Sequence, residues 1–143
     1  MRGEPPAPGD APAPKHVIRL RGPWLWASED GSAGKSDIGK AASAPPWPTG
    51  LAVTLTRHFG HPPVGTDESL AVRILAARGI DGVTLDDTPT DATLVPVAGG
   101  PGSRHRLDIA FVPTADRPGV PFDAVELHVF DKQASGGRQP SGR

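Results

Sequence analysis

The stretch LAVTLTRHF, residues 51–59, decides the fold class. Leu51, Val53, Leu55 and Phe59 take odd positions, and Thr54, Thr56 and His58 take even ones. Successive side chains of a strand point to opposite faces, so a period of two marks a strand with one face in a core. Working outward, the same alternation returns at Leu70, Val72 and Ile74, at Leu107, Ile109 and Phe111, and at Val125, Leu127 and Val129. Turn-forming clusters separate these runs: His61-Pro62-Pro63, Asp86-Asp87-Thr88-Pro89, Gly99-Gly100-Pro101-Gly102 and Pro118-Gly119-Val120-Pro121. Short alternating segments punctuated this way predict an all-β chain, a sandwich or barrel of about seven or eight strands. Residues 83–86 and 93–97 supply two shorter strand candidates.

Residues 67–78 admit two readings. Asp67 as a cap, Leu70, Ile74 and Ala77 at helical spacing, and Gly79 just beyond fit a helix. Leu70, Val72 and Ile74 against Ala71, Arg73 and Leu75 fit a strand equally well. Upstream, Ile18 and Leu20 share one face until Gly22-Pro23 interrupts, and Trp24 and Trp26 resume the alternation. Residues 28–50 are rich in Gly, Ala, Ser and Pro and are expected to be a long loop anchored by Trp47. The expected core holds Ile18, Leu20, Val53, Leu55, Phe59, Val72, Ile74, Leu107, Ile109, Phe111, Val125, Leu127 and Val129.

Composition sets the outer limits. Glycine and proline together make 36 of the 143 residues and crowd the ends. Such ends bury too little apolar surface to offset the entropy of ordering. Residues 1–14 and 133–143 are therefore expected to be disordered tails around one domain at 15–132. Fifteen basic and sixteen acidic residues, interspersed, leave a net charge of −1 and no basic stripe, so nucleic acid is not an expected partner. No apolar run approaches the ~18 residues of a membrane span, and no hydrophobic stretch follows Arg2 as in a signal peptide. The absence of cysteine leans toward a reducing compartment, so the expected location is cytoplasmic.

Motifs for chemistry are sparse. Gly34-Lys35-Ser36 ends like a phosphate loop, but the leading glycine would fall at position 29, where Glu29 stands. Zinc requires three or four convergent ligands, and the five histidines, His16, His58, His61, His105 and His128, show no such spacing. His58 and His128 with Glu126 or Asp108 would have to meet across strands; otherwise the histidines face solvent. Ser69 and Ser103 lack a nucleophile elbow. Asp86, Asp87, Asp108, Asp116, Asp123 and Glu126 fall in turns or on expected outer faces, with nothing to set two of them around one bond. No catalytic residue, metal or cofactor is expected, and the chain is read as not an enzyme. Trp24, Trp26 and Trp47 are the only tryptophans and there is no tyrosine. They are either core, given the large apolar area of indole, or an aromatic platform for a sugar ring.

Several stretches in order carry a resemblance. HVIRLRGPW at 16–24, Pro45-Pro46-Trp47, VTLTRHFGHP at 53–62, and ESLAVRILAARGIDGVTLDDTPT at 68–90 with its Gly79-Ile80-Asp81-Gly82 turn come first. RHRLDIAFV at 104–112 and PFDAVELHVFD at 121–131 follow. Together they resemble the sugar-binding, galactose-binding-like jelly-roll domain that precedes the catalytic barrel in family-two glycoside hydrolases. The chain is similar in particular to short stand-alone planctomycete versions of that domain. The resemblance implies an antiparallel jelly-roll β-sandwich and favours the strand reading of 67–78. It implies a non-catalytic module with carbohydrate as its ligand class and Trp24, Trp26 and Trp47 as ligand-contacting candidates. The catalytic residues of those enzymes lie in a barrel domain with no counterpart here, and Asp86-Asp87 replaces an Asn-Gly hairpin tip. The alternative is a module that contacts another protein through its sheet edges or its Pro-rich N-terminal tail.

Overall fold

The computed structural model describes residues 13–36 and 45–131, and within them the chain is all-β. The tails expected at 1–14 (apart from Ala13 and Pro14) and 133–143 lie outside the described residues, as do residues 37–44 of the expected loop. Ten strands occur in chain order. They are β1 (His16–Arg19), β2 (Trp24–Ser28), β3 (Ala33–Ser36), β4 (Val53–Gly60) and β5 (Glu68–Leu75), then β6 (Ile80–Leu85), β7 (Thr88–Thr90), β8 (Leu94–Val97), β9 (Arg104–Phe111) and β10 (Ala124–Asp131).

They form two open antiparallel sheets. One has the order β1-β10-β5-β8, the other β3-β2-β4-β9-β6-β7. β5 is a strand along its whole length: it pairs with β10 over eight residues, from Ala124↔Leu75 to Asp131↔Glu68. Pairing on both sides, with β10 and β8, satisfies backbone groups that an isolated helix would have satisfied internally. Local propensity is a weak prior that such tertiary pairing overrides.

Inward side chains of both sheets meet in one core cluster. Val53, Leu55, Leu107, Ile109 and Val72 have no or almost no exposed surface, and Val125, Leu127 and Val129 join them. Twelve of the thirteen expected core residues are buried. Ile18 is the correction, at 42% exposed. Its partner Leu127 places it on the core side of its sheet, but β1 is a four-residue edge strand whose residues are all exposed. The side chain overhangs the end of the core.

The long loop expected over 28–50 is also corrected. Ser28 ends β2, and β3 folds back onto β2 with Trp24↔Ser36 to Ala27↔Ala33 paired. Gly34 has no side chain where the Trp26 indole lies against it. A Cβ on Gly34 would stand 3.0 Å from the Trp26 indole nitrogen. Size alternation is therefore absent from the sequence although the backbone is extended. The Asp86-Asp87 pair closes a hairpin between β6 and β7, with φ of 50° and 68°. Two successive left-handed residues are what a two-residue hairpin with the sheet's twist requires, and Asp tolerates them better than most residues. With β3, β7 raises the strand count among the described residues to ten, above the seven or eight expected.

Candidate functional site

The three tryptophans lie in the core. Trp24 is 1% exposed, Trp26 7% and Trp47 6%. Trp24 packs against Phe122 at 5.9 Å between ring centroids. Trp26 meets Trp47 edge-on at 6.1 Å, and Trp47 meets Phe111 edge-on at 5.7 Å. The structure thus brings Trp26 and Trp47 together, but as a buried stack, with none of the three rings forming an open platform among the described residues. Trp47 has a further task. Its indole N–H donates to the Pro118 carbonyl at 2.8 Å, and the nearby Gly50 N–H donates to the Pro113 carbonyl at 2.7 Å. Both bonds fasten the β9–β10 connection to the core.

That connection forms one wall of a cleft of about 310 Å3, and the β5–β6 connection forms the other. This volume is near the lower end of the ~300–1,000 Å3 usual for small-molecule sites, which suits a single-ring ligand. Phe111, Val120 and Pro121 give the cleft an apolar floor, and Val112 lines it while remaining 42% exposed. Arg78 and Arg117 bring two guanidinium groups to it.

Each arginine is placed by its backbone. Thr114 and Arg117 exchange N–H···O bonds of 3.1 Å, and the Arg117 N–H also reaches Thr114 Oγ1 at 3.0 Å. This tight turn fixes the root of the Arg117 side chain. Its guanidinium lies over Gly79, whose φ is +74°. Glycine takes that conformation without the Cβ penalty other residues meet. The Arg78 N–H donates to the Pro121 carbonyl at 2.9 Å. Arg78 Nη1 donates to the Ala76 carbonyl at 2.7 Å and to Asp123 Oδ1 at 3.0 Å. Asp123 thereby offsets the charge of Arg78. The Arg117 guanidinium has no hydrogen-bond or ion-pair partner among the described residues.

A second cleft of about 260 Å3 adjoins the first and shares Arg78 and Gly79 with it. Asp81 and Asp91 line this second part. Here the register of β6 against β9 shifts between Ile80 and Gly82, leaving Asp81 as the extra residue of a bulge. Bulges next to sites re-aim side chains at a sheet's rim.

The histidines correct a second expectation. His16 and His58 are exposed, but His61, His105 and His128 are buried rather than facing solvent. His58 lies on β4 and His128 on β10, in different sheets, so they do not meet. His61 Nδ1 instead stands 2.8 Å from His105 Nε2, and His105 Nδ1 stands 2.6 Å from Asp86 Oδ2. Asp86 Oδ1 also accepts the Arg106 N–H at 2.8 Å. Burial pushes the Asp86 carboxyl up, but the His105 and Arg106 hydrogen bonds outweigh it and leave its pKa lowered. An ionised Asp86 accepts the Nδ1 proton of His105, and the direction of the bond between His105 Nε2 and His61 Nδ1 follows the tautomers of the two rings. Burial, and then the facing His105, lowers the His61 pKa.

Ser103 Oγ is 3.5 Å from His105 Nε2, which puts Ser103, His105 and Asp86 in the order of a hydrolase triad. Two contacts separate it from one. His61 already occupies the His105 nitrogen, and the Ser103 hydroxyl donates to the Gly100 carbonyl at 2.5 Å. The set holds a proton between two buried rings. It also ties the loop at Gly99–Gly102 to the end of β4, where the His61 N–H donates to the Ser103 carbonyl at 2.8 Å.

The remaining carboxylates are spread over both sheets. Asp108 accepts from Thr56 Oγ1 at 2.6 Å and Arg106 Nε at 2.9 Å. Glu126 contacts His128 Nε2 at 2.9 Å and Arg19 Nη2 at 3.3 Å, and the His128 bond leads in lowering its pKa. Among the described residues, no group of three or more His, Cys, Asp or Glu side chains is arranged to hold a metal ion. No helix among them is long and apolar enough to cross a membrane. Compared with known proteins, the chain matches no family model and no curated protein.

Proposed function

We propose that the chain is a non-catalytic binding module built on a jelly-roll sandwich, and that it takes a small carbohydrate in the cleft between Arg78 and Arg117. Strand order supports the topology. With the β2–β3 hairpin set aside, the sheets read β1-β10-β5-β8 and β4-β9-β6-β7. Eight strands in two sheets, with successive strands from β4 to β10 crossing between them at all but one step, support a double Greek-key reading of the kind a jelly roll has. The observation that carries the binding reading is the cleft itself. An apolar floor accepts the C–H face of a sugar ring, and guanidinium donors at the rim bond hydroxyl or acidic oxygens. On this reading the ligand sits against the loops that Trp47 supports rather than on the tryptophan rings, which are buried.

Intrinsic tryptophan fluorescence during titration with a panel of monosaccharides tests the reading. Trp47 bonds the loop that bears Arg117, and no tyrosine adds to the signal. A saturable change with at least one sugar is expected. A flat response across the panel contradicts the proposal.

One observation favours contact with another protein as a second reading. Val17 and Ile18 on the edge strand β1 are 49% and 42% exposed. An unpaired apolar edge is a template for strand addition. Self-association or partner capture abolished by Val17→Pro, with an unchanged sugar response, would separate this reading from the first.

A further inference from the structure

We infer that the ligand of the Arg78–Arg117 cleft is a monoanionic sugar acid whose carboxylate is held by Arg117; this rests on the cleft being the binding site. The charge at the cleft is uneven. Asp123 offsets Arg78 at 3.0 Å, whereas Arg117 has no counter-charge or acceptor among the described residues. One guanidinium is thus left to be matched, and a carboxylate supplies one negative charge with two coplanar oxygens that fit its donor fork. A phosphate monoester brings about −1.5 to −2 charges, more than the single free guanidinium balances. A neutral sugar leaves the fork without an ionic partner.

The surrounding geometry fits the same ligand. The turn closed by Thr114 and Arg117 holds the arginine backbone by three hydrogen bonds, so less freedom is lost when its head binds. Gly79 lies beside the guanidinium, where an added Cβ would come to 3.9 Å from Arg117 Nη1. Val112 and Val120 line the cleft and offer an apolar contact for the ring. Asp81 and Asp91 line the second cleft, which shares Arg78 and Gly79 with the first. Their negative charges disfavour a carboxylate in that second cleft and leave the Arg117 side as the one that attracts it.

Isothermal titration of the full chain with D-galacturonate, D-galactose and D-galactose 6-phosphate tests the inference, with Arg117→Gln and Arg117→Lys as variants. Arg117 is an exposed turn residue whose side chain supports no described contact, so both variants are expected to fold, and circular dichroism checks this. The expected result is saturable galacturonate binding, at least about tenfold tighter than galactose or its phosphate, weakened about tenfold or more by Arg117→Gln. Arg117→Lys should restore part of the affinity, because it keeps the charge and loses the fork. Equal binding of galactose and galacturonate, insensitive to Arg117→Gln, overturns the acid inference and leaves the binding-module reading standing. Tighter binding of the phosphate overturns the choice of carboxylate. No binding of any of the three overturns both.

Discussion

At the scale of single residues, His61 is a titratable ring buried where its charge is costly. Burial and the facing His105 lower its pKa, so the folded state holds it neutral at pH values where the unfolded chain takes up a proton. Between the lowered pKa and the ordinary value near 6.5, the unfolded state binds more protons, so stability falls as pH falls through that window. Urea midpoints should therefore be lower at about pH 5 than at about pH 7.5, and His61→Phe should shrink the difference. Asp86 adds stability above its unfolded pKa that disappears only at stronger acidity, as pH falls through its lowered folded value. Trp47 illustrates a residue whose type stands out in the sequence and whose role does not. Trp47→Phe keeps an aromatic ring in the stack but removes the donor to Pro118, at a cost of about 1 kcal/mol or somewhat more. Hydrogen exchange in residues 114–119 should quicken in that variant while the exchange of β9 stays slow.

At the scale of elements, legibility follows side-chain size. β4, β9 and β10 alternate large and small or polar residues because one face is core and the other is not, and that pattern is written in the chain. β5 is ambiguous in the sequence because Ala71 and Leu75 on its outer face blur the alternation, and only pairing with β10 and β8 resolves it. β3 leaves no trace in the pattern because its residues carry no large apolar side chain, and Gly34 makes room for Trp26. Gly34→Ala should press a Cβ to 3.0 Å from the buried Trp26 indole and cost about 1–3 kcal/mol, read as a lowered melting temperature. The β6–β7 hairpin gives a contrasting pair. Asp87 holds φ of 68°, and Asp87→Gly should stabilise by about 0.5 kcal/mol, the left-handed penalty removed less the added freedom of the unfolded chain. Asp86→Gly at the neighbouring position should destabilise despite the same backbone relief, because it deletes the bonds to His105 and Arg106.

At the scale of the whole molecule, one core joins two open sheets, and the loops at one end of it make the cleft. Ile109→Ala and Leu127→Ala, one in each sheet, should each cost about 2–5 kcal/mol in denaturant unfolding. Ile18→Ala should cost well under either, since the β1 side chain already stands in water. The core can be listed from the sequence because the strands that build most of it repeat the same period. The cleft cannot, because Arg78 and Arg117 sit in separate connections with no shared pattern, and only the closure of β5, β6, β9 and β10 around one core brings them together. The His61–His105 pair lies between these extremes: once β4 and β9 are paired with Phe59 opposite His105, the residue two beyond Phe59 falls beside it. The central claim, that this cleft is where the module binds, is tested most directly by mapping amide chemical shifts of the full chain during titration with D-galacturonate. Saturable shifts concentrated at Arg78, Gly79 and residues 112–121 are the predicted result. Shifts that cluster elsewhere, or none at saturating sugar, would contradict it.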